Sequence, residues 1–342
     1  MESIGDLRKS TGVTVDYDVA VKDKKILESF RLGNCDGIFQ FEKKTARDIL
    51  EKIHCDCFED IVAASSMNRP GPLSLKQPDL YAENKYNIEE AKSSEYWEYT
   101  KESYGTIIYQ EQVQRICVNI GGLEWADADK IMKLMKGGHT TELAQKAYNE
   151  NKENLKRKFV DGAVRNGYER SFAEDLFEKM ISYTFNEGHG VGYSLISVEE
   201  MYYKVYEPSA YWFAKLKYAK NDSEYDKFCA KAVNDGSVVF LPHVNYSSEK
   251  AKLRKVEGED CLQQGLSEIK GVGEKAASYI LEERKKHGIF TSFDNFYDRC
   301  KSRTVTSRVI ELLKEAGALE FNKKIYIKRV TKYNSALYSR AN

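Results

Sequence analysis

The chain has 342 residues, enough for two domains or for one large and one small domain. Its 53 basic and 53 acidic side chains cancel at pH 7, so no overall positive field marks it as a nucleic-acid-binding protein. Seven scattered cysteines, with no secretory signal and no apolar run of membrane length, predict a cytoplasmic protein with reduced thiols.

Helical periodicity dominates the first two thirds of the chain. Helices are predicted to begin after Phe41 and after Asp56, which is predicted as an N-cap, and Arg69-Pro70-Gly71-Pro72 is predicted to end the second one. A strand is predicted over residues 104–109. Further helices are predicted over residues 111–120, 126–135, 141–166 and 171–180, and over 188–220 with a break at Pro208.

The character of the chain changes after Asp222. Short strands are predicted over residues 237–247 and 252–257, followed by a glycine turn and a last helix over 306–316. We therefore predict a mainly α fold: a helical domain, then a small α+β region, with a boundary between residues 219 and 225. The chain from residue 301 to the end carries 10 Lys and Arg residues against 3 Asp and Glu residues, which predicts a basic tail.

The glycine turn carries the first functional signal. Gly271 and Gly273 frame Val272, and Lys270 and Lys275 flank them at the start of a predicted helix. Uncovered backbone N–H groups at a helix N-terminus suit a phosphate group and do not distinguish one base from another. The five residues are therefore predicted to bind a DNA backbone. The alternative is a packing corner at which glycine merely permits close approach.

Two clusters could hold a metal ion, and neither is predicted to do so. His54-Cys55-Asp56-Cys57 lacks a second ligand pair at a zinc-site spacing. Asp16-Tyr17-Asp18 has no third carboxylate in its context. We predict no catalytic residue and no metal ligand in this chain.

Several blocks, in order, resemble the C-family polymerases, the catalytic alpha subunits of bacterial DNA polymerase III. They are GIFQFE (37–42), CFEDIVAASSMNRPGPL (57–73), YGTIIYQEQVQRI (104–116), ADADKIMKLMKG (126–137), YTFNEGHGVGYSLIS (183–197) and IKGVGE (269–274). The resemblance implies a lead-in over 1–35, a helical fingers domain over 36–220, a small α+β region with a tandem helix-hairpin-helix over 221–322, and the basic tail over 323–342.

The resemblance implies that the fingers hold the incoming nucleotide. His189 and Tyr193 lie four residues apart and face one way from a helix, while Gly190 and Gly192 are expected to keep that face low for a base pair. The alternative for His189 and Tyr193 is that both are ordinary core residues. The alternative for Tyr109 and the polar residues after it is that they simply cap the helix. The predicted nucleotide-binding residues are Arg69, Tyr109, Gln110, Arg115, Lys133, Lys136, Asn186, His189 and Tyr193.

The chain departs from the family at two cationic positions. Met132 and Lys133 stand where the family has paired arginines, and Glu187 stands where it usually has lysine. Ammonium groups such as that of Lys133 act as point charges, without the bidentate fork of arginine. Such losses weaken the predicted nucleotide site and fit a divergent copy, for example one from a phage or a mobile element.

The family's catalytic aspartates belong to the palm, which precedes the fingers and is not recognised in this sequence. We therefore expect a split polymerase: a palm-containing polypeptide holds Mg²⁺, and this chain binds dNTP and duplex primer–template DNA without extending a primer alone. The alternative is a non-catalytic relic that binds DNA or a host polymerase. An unrelated repair protein with one helix-hairpin-helix would not explain the YQEQV and FN blocks.

Overall fold

The computed structural model describes residues 2–134, 142–181, 184–256 and 258–321. Two compact units divide the chain. Residues Asp16–Met201 form one, which we call the helical unit, and Met1–Val15 with Tyr202–Asn342 form the other, the mixed unit. Among the described residues, no helix is both long and apolar enough to cross a membrane.

The helices account for most of the described chain, which confirms the predicted mainly α class. In chain order they are α1 (Glu2–Thr11), α2 (Tyr17–Ala20), α3 (Lys24–Arg31), α4 (Lys44–Lys52), α5 (Phe58–Met67), α6 (Pro70–Ser74), α7 (Gln77–Tyr86), α8 (Ile88–Lys92), α9 (Trp97–Thr100), α10 (Gln110–Asn119), α11 (Trp125–Leu134), α12 (Glu142–Arg165), α13 (Arg170–Met180), α14 (Glu187–Tyr206), α15 (Pro208–Lys217), α16 (Asp222–Asn234), α17 (Glu274–His287), α18 (Phe293–Cys300) and α19 (Ser307–Glu315).

The predicted helices from residue 111 to residue 220 match α10 to α15 to within a few residues, including the break before Pro208. One local prediction, the N-cap of α5, is wrong. The N-cap of α5 is Cys57, while the backbone N–H of Asp56 donates to the Asp60 carboxylate at 2.9 Å. As predicted, α5 ends before Arg69-Pro70-Gly71-Pro72, at Met67. Pro70 then starts the short helix α6, because a proline needs no N–H acceptor at N1.

The predicted strand over residues 104–109 is also wrong. Tyr104 has a left-handed backbone with φ of 50°, and only Tyr109 makes a β-bridge, with Phe185. The Gln112 side chain takes the place of a neighbouring strand, since its Oε1 accepts from the backbone N–H groups of Ile108 (2.9 Å) and Tyr109 (3.0 Å). Apolar β-branched residues alone therefore did not specify a strand.

The sheet of the mixed unit has the order β1-β3-β2, with β1 (Val239–Phe240), β2 (Lys252–Val256) and β3 (Glu259–Gln263). β1 is parallel to β3, and β2 is antiparallel to it. The first two strands were predicted over wider ranges. The third was missed because it begins with exposed Glu259 and Asp260, and only its last three residues are buried.

The predicted domain bounds at 35/36 and 220/221 stay predictions. The compact units divide the chain at 15/16 and 201/202 instead, and compactness does not test which residues act together. The predicted basic tail over 323–342 lies outside the described residues.

A buried histidine connects the sheet region to the last helical turn of the mixed unit. The Nδ1 atom of His243 accepts from the Asn245 backbone N–H at 3.0 Å, so the Nε2–H donates to the carbonyl oxygen of Glu320 at 2.9 Å. Burial lowers the pKa of His243 below its ordinary 6.5, and the nearby Arg284 and Arg254 lower it further. The folded unit therefore holds this ring neutral.

We predict that acid destabilises the mixed unit through His243. The unfolded chain takes up a proton near pH 6.5 and the folded unit does not, so this stabilisation is complete above 6.5 and is lost as pH falls below it. The thermal midpoint should fall from pH 7.5 to 5.5. His243→Gln should reduce that fall, whereas His287→Gln, which changes an exposed ring, should leave it unchanged. Equal pH dependence in all three proteins would contradict the prediction.

Candidate nucleotide and nucleic-acid interface

Two separate segments of the helical unit meet at the carboxylate of Glu111. Its Oε1 accepts from the Asn186 side-chain amide at 2.6 Å, and its Oε2 accepts from the Glu187 backbone N–H at 3.0 Å. Beside this contact the Gln110 N–H donates to the Phe185 carbonyl at 2.9 Å, and the Phe185 N–H donates to the Ile108 carbonyl at 2.8 Å. The YQEQV and FN blocks are therefore fixed to one another by side chain and backbone together.

Asn186 then starts α14. Its Oδ1 accepts from the backbone N–H of His189 at 2.8 Å, which is an N-cap hydrogen bond. The same amide thus binds Glu111 through its nitrogen and orients the first turn of α14 through its oxygen. This double use sets the direction in which His189 and Tyr193 leave the helix.

Four rings follow one another along this surface. The ring centroids of Phe185 and His189 are 5.5 Å apart, those of His189 and Tyr193 are 4.0 Å apart, and those of Tyr193 and Phe39 are 5.3 Å apart. The Arg69 guanidinium lies 3.9 Å from the Phe185 ring centroid. We call Phe185, His189, Tyr193 and Phe39 the aromatic row. His189 and Phe39 are exposed, so the row is not part of the core.

Sequence reasoning missed Phe39 and Phe185 as members of this surface. The backbone of Phe39 is held on both sides by α14: its N–H donates to the Glu200 carboxylate at 2.7 Å, and its carbonyl accepts from the Ser197 hydroxyl at 2.9 Å. Glu200 is buried and lies 161 positions from Phe39 in the sequence. The only sequence signal for Phe39 was therefore that it belongs to the GIFQFE block.

The two glycines of α14 do different things. A Cβ at Gly190 would lie 3.1 Å from the Ser66 Oγ and 3.3 Å from the Val62 Cγ1, so Gly190 lets α14 pack closely on α5. A Cβ at Gly192 would meet nothing within 4 Å. The expectation that both glycines keep the His189 face low is therefore wrong for Gly190, which faces α5.

The remaining predicted nucleotide-binding residues are placed unequally. Tyr109 is 2% exposed, and its position at the N-cap of α10 favours the capping interpretation of that residue. The Arg115 guanidinium pairs with the Glu102 carboxylate at 2.7 Å. Lys133 is exposed on α11, and Gln110 is half-buried. Lys136 lies outside the described residues.

Arg69 has a structural task as well as its contact with Phe185. Its Nη1 donates to the carbonyl oxygens of Ser65 (2.6 Å) and Ser66 (3.2 Å), which are acceptors near the end of α5. The guanidinium is thereby held between a helix end and the aromatic row. Because its Nη1 already donates to these carbonyl groups, the Arg69 guanidinium is an ordered positive charge beside the row.

One group in the described part of the chain has the side chains and the spacing of a metal site. There the oxygen and sulfur atoms of Asp56, Cys57 and Asp60 lie within 4.8 Å of one another. However, the Lys85 ammonium bonds both carboxylates, at 2.9 Å to Asp56 and 2.6 Å to Asp60. A cation of the protein therefore fills this group. Asp16 instead caps α2 by accepting from the Asp18 N–H at 3.0 Å.

The glycine turn of the mixed unit is exposed at both glycines. Gly271 has φ of +79°, and Gly273 is the N-cap of α17. Val272 points inward instead, at 2% exposed, and its N–H donates to the Ile269 carbonyl at 2.9 Å. The expectation that Val272 contacts DNA is therefore corrected for its side chain. Lys275 remains exposed beside the turn, as does Lys270.

The chain just before the turn forms turns and no helix, and Ile269 and Ile280 lie in one core. That core also holds a second hairpin, α18 and α19. A shift of 33 positions aligns the two turns, placing Val305, Thr306 and Arg308 on Val272, Gly273 and Lys275. Val305 is fully buried like Val272, and the Thr306 hydroxyl caps α19 by accepting from the Val309 N–H.

Comparison with known proteins gives two family matches. The description "Bacterial DNA polymerase III alpha subunit finger domain" matches residues 3–167, and "Helix-hairpin-helix motif" matches residues 236–324. The aromatic row is only partly inside these matches, because α14 begins beyond residue 167.

Curated relatives agree with these matches. The DNA polymerase III subunit alpha of Aquifex aeolicus (strain VF5) is 34% identical over 93% of this chain and 27% of its own length. That of Thermus aquaticus is 32% identical over 92% and 26%, and that of Campylobacter jejuni is 31% identical over 88% and 25%. The chain thus spans about a quarter of the length of the relatives it matches.

We predict that Gly190→Val destabilises the helical unit by about 1–3 kcal/mol, because the new methyl groups would push α14 away from Ser66 and Val62. Gly192→Val, two residues further along the same helix, is the matched control, because its side chain would enter open space. Urea denaturation would measure both. The same loss in both variants would show that helix propensity, not close packing, is responsible.

Proposed function

Because the chain belongs to the bacterial DNA polymerase III alpha family over a finger and helix-hairpin-helix stretch, we propose that it holds incoming dNTP and duplex primer–template DNA during DNA replication. The observation that carries the proposal is the Glu111 junction, which joins the YQEQV and FN blocks and presents the aromatic row at their surface. The proposal concerns the finger and helix-hairpin-helix residues of this chain, and it includes a cytoplasmic location.

The aromatic row supplies the contact with the base pair in this proposal. Rings of His189 and Tyr193 offer flat, apolar surface that every base can stack against, which is the kind of contact a replicative enzyme needs for all four bases. Exposed Lys133, together with Lys136, supplies charge for the triphosphate. Arg69 adds a guanidinium that is already ordered by its carbonyl acceptors, so binding costs it little further conformational entropy.

The duplex is held by the mixed unit through its hairpin turns. In the described residues the N–H groups of Gly273 and Lys275 have no backbone acceptor, and they lie at the positive end of α17. A phosphate can approach because Gly273 has no side chain and nothing lies within 4 Å of its would-be Cβ. The 33-residue correspondence adds Arg303 and Arg308 at the second turn.

Phosphoryl transfer in this family needs carboxylates that hold Mg²⁺, and the ion stabilises the charge of the reacting phosphates. The one carboxylate-containing group within ligand distance in the described chain, Asp56 with Cys57 and Asp60, does not fit that task because Lys85 occupies it. Our proposal therefore assigns the catalytic aspartates, with their Mg²⁺, to a palm outside these residues and, in the split-enzyme form, to another polypeptide.

A second candidate function is binding without catalysis, as a relic that occupies DNA or a polymerase. The electrostatics near the Glu111 junction favour it. Glu187 replaces a family lysine, and burial, then the neighbouring Glu102 and Glu111 carboxylates, raise its pKa, while Arg115 lowers it. Three carboxyl groups close to the aromatic row disfavour a triphosphate there, unless cations from the palm offset them.

The proposal is tested first with the purified chain, Mg²⁺, dNTPs and a labelled primer–template. We expect the duplex to be bound and the primer to stay unextended. Lys133→Ala should lower dNTP affinity about threefold to tenfold in an assembly with a palm-containing polypeptide, with duplex affinity unchanged. Lys130→Ala is the control on the same helix, because its ammonium pairs with Asp127 at 2.7 Å. Extension by the chain alone would refute the assignment of the palm elsewhere.

The duplex grip is tested by Gly273→Val and Lys275→Ala. Each should weaken binding to all duplex sequences alike, the first by blocking backbone approach and the second by removing one phosphate contact. Lys286→Ala, at the opposite end of α17, is the charge-matched control and should bind as the parent does. Gly271→Val is unsuitable, because its Cβ would lie 2.7 Å from the Leu312 Cδ1 and disturb folding. Sequence-selective loss would contradict a backbone grip.

A further inference from the structure

Three cationic side chains meet at one edge of the sheet in the mixed unit. Lys252 and Arg254 lie two residues apart on β2, so both leave the same face of that strand. Among the described strands β2 is at the sheet's edge. Arg284 comes from α17, and its Nη1 donates to the carbonyl oxygens of Val244 (2.7 Å) and Ser247 (2.9 Å).

The turn over residues 244–247 brings the two arginines together, because Arg284 binds its carbonyl groups and Arg254 lies against its tyrosine. The Arg254 guanidinium lies 5.1 Å from the Tyr246 ring centroid and 5.3 Å from that of Phe240. Tyr246 belongs to the turn whose carbonyl groups Arg284 holds. Arg254 also donates from Nη1 to the Gln263 Oε1 at 3.1 Å, which leaves the rest of its fork available. These contacts orient both guanidinium groups before any ligand arrives.

This cluster lacks a counter-charge within the described residues. No ion pair there joins Lys252, Arg254 or Arg284 to a carboxylate, and the Lys252 ammonium has no hydrogen-bond partner. Across the ladder, the residues opposite Lys252 and Arg254 are the neutral Gln263 and Cys261.

The other face of the same strand behaves differently. Lys255 points away from the cluster, lies opposite Asp260 and pairs with its carboxylate at 4.0 Å. Charge on β2 is therefore balanced on one face and unbalanced on the other. Burial lowers the pKa of Lys252, and the charges of Arg284 and Arg254 lower it further, so the three cations repel one another. An anion would relieve this repulsion.

We propose that Lys252, Arg254 and Arg284 form a phosphate-binding site whose occupant is a phosphodiester group of a nucleic-acid strand. Two planar guanidinium groups and one mobile ammonium group are the donors that tetrahedral phosphate oxygens accept best. The site lies on half-exposed side chains along an edge strand, which suits a passing strand. It deepens the proposed duplex grip and rests on it, but it uses none of the hairpin residues.

Salt-dependent binding to a fluorescent DNA duplex tests the site. Lys252→Ala should reduce the slope of log affinity against log salt concentration by about 0.9, the value for one lost phosphate contact. Lys252→Glu should reduce affinity further. Lys255→Ala removes an equal charge from the other face of the strand and should leave the slope unchanged. Thermal melting of each variant checks that the fold is retained; the Lys252 side chain is half-exposed and that of Lys255 is exposed.

The remaining outcomes separate the sources of phosphate. An unchanged slope in Lys252→Ala, or equal changes in Lys252→Ala and Lys255→Ala, would overturn the site. Inorganic phosphate at constant ionic strength should compete with DNA for the parent more strongly than for Lys252→Ala. If phosphate stabilises only the parent against heat while DNA binding ignores residue 252, the site takes free phosphate and the nucleic-acid assignment is wrong.

Failure of this inference differs from failure of the proposed function. Suppose that the parent binds duplex and that Lys275→Ala weakens this binding while Lys252→Ala does not. The proposed function of the hairpin is then supported, and only the site formed by Lys252, Arg254 and Arg284 is overturned. If the parent does not bind duplex at all, both are overturned.

Discussion

The carboxylate of Glu111 is the contact on which the candidate site depends. It accepts two hydrogen bonds from the residues that open α14, and the Asn186 amide passes this constraint on to His189 through the N-cap. A charged acceptor with two donors gives a stronger and more directional contact than an apolar one. A polar junction between segments 75 positions apart therefore fixes the position of the aromatic row.

That junction also explains why the site is electrostatically mixed. The two carboxylate oxygens of Glu111 each accept one donor, and the Glu102 carboxylate pairs with Arg115 at 2.7 Å. Placing Glu187 beside them adds a third acid, whose pKa rises mainly because it is buried. The aromatic row offers exposed ring surface, and Arg69 is the cation described beside it. Under the function proposed above, the triphosphate would depend on Lys133 and on cations from the palm.

The sequence predicted the helices well because their signals are local. Caps, proline at Pro208 and amphipathic spacing placed α10 to α15 within a few residues. It failed where a distant side chain decides the backbone. Glu200 fixes Phe39 across 161 positions, which no local pattern reveals. At closer range, the Gln112 side chain replaces a strand partner for residues 108 and 109, which was also missed. The inward direction of Val272 was missed because a glycine on each side suggested a wholly exposed turn.

Gly271 has a consequence for how the two hairpins are spaced. The Leu312 methyl group from α19 occupies the space where a side chain at position 271 would begin, 2.7 Å from an ideal Cβ. Glycine at position 271 therefore lets the first turn lie directly against α19 of the second hairpin. A residue other than glycine at position 271 would also have to adopt φ of +79°, so a smaller residue 312 alone would not admit a side chain there, whereas Gly273, with φ of −73°, carries no such restriction.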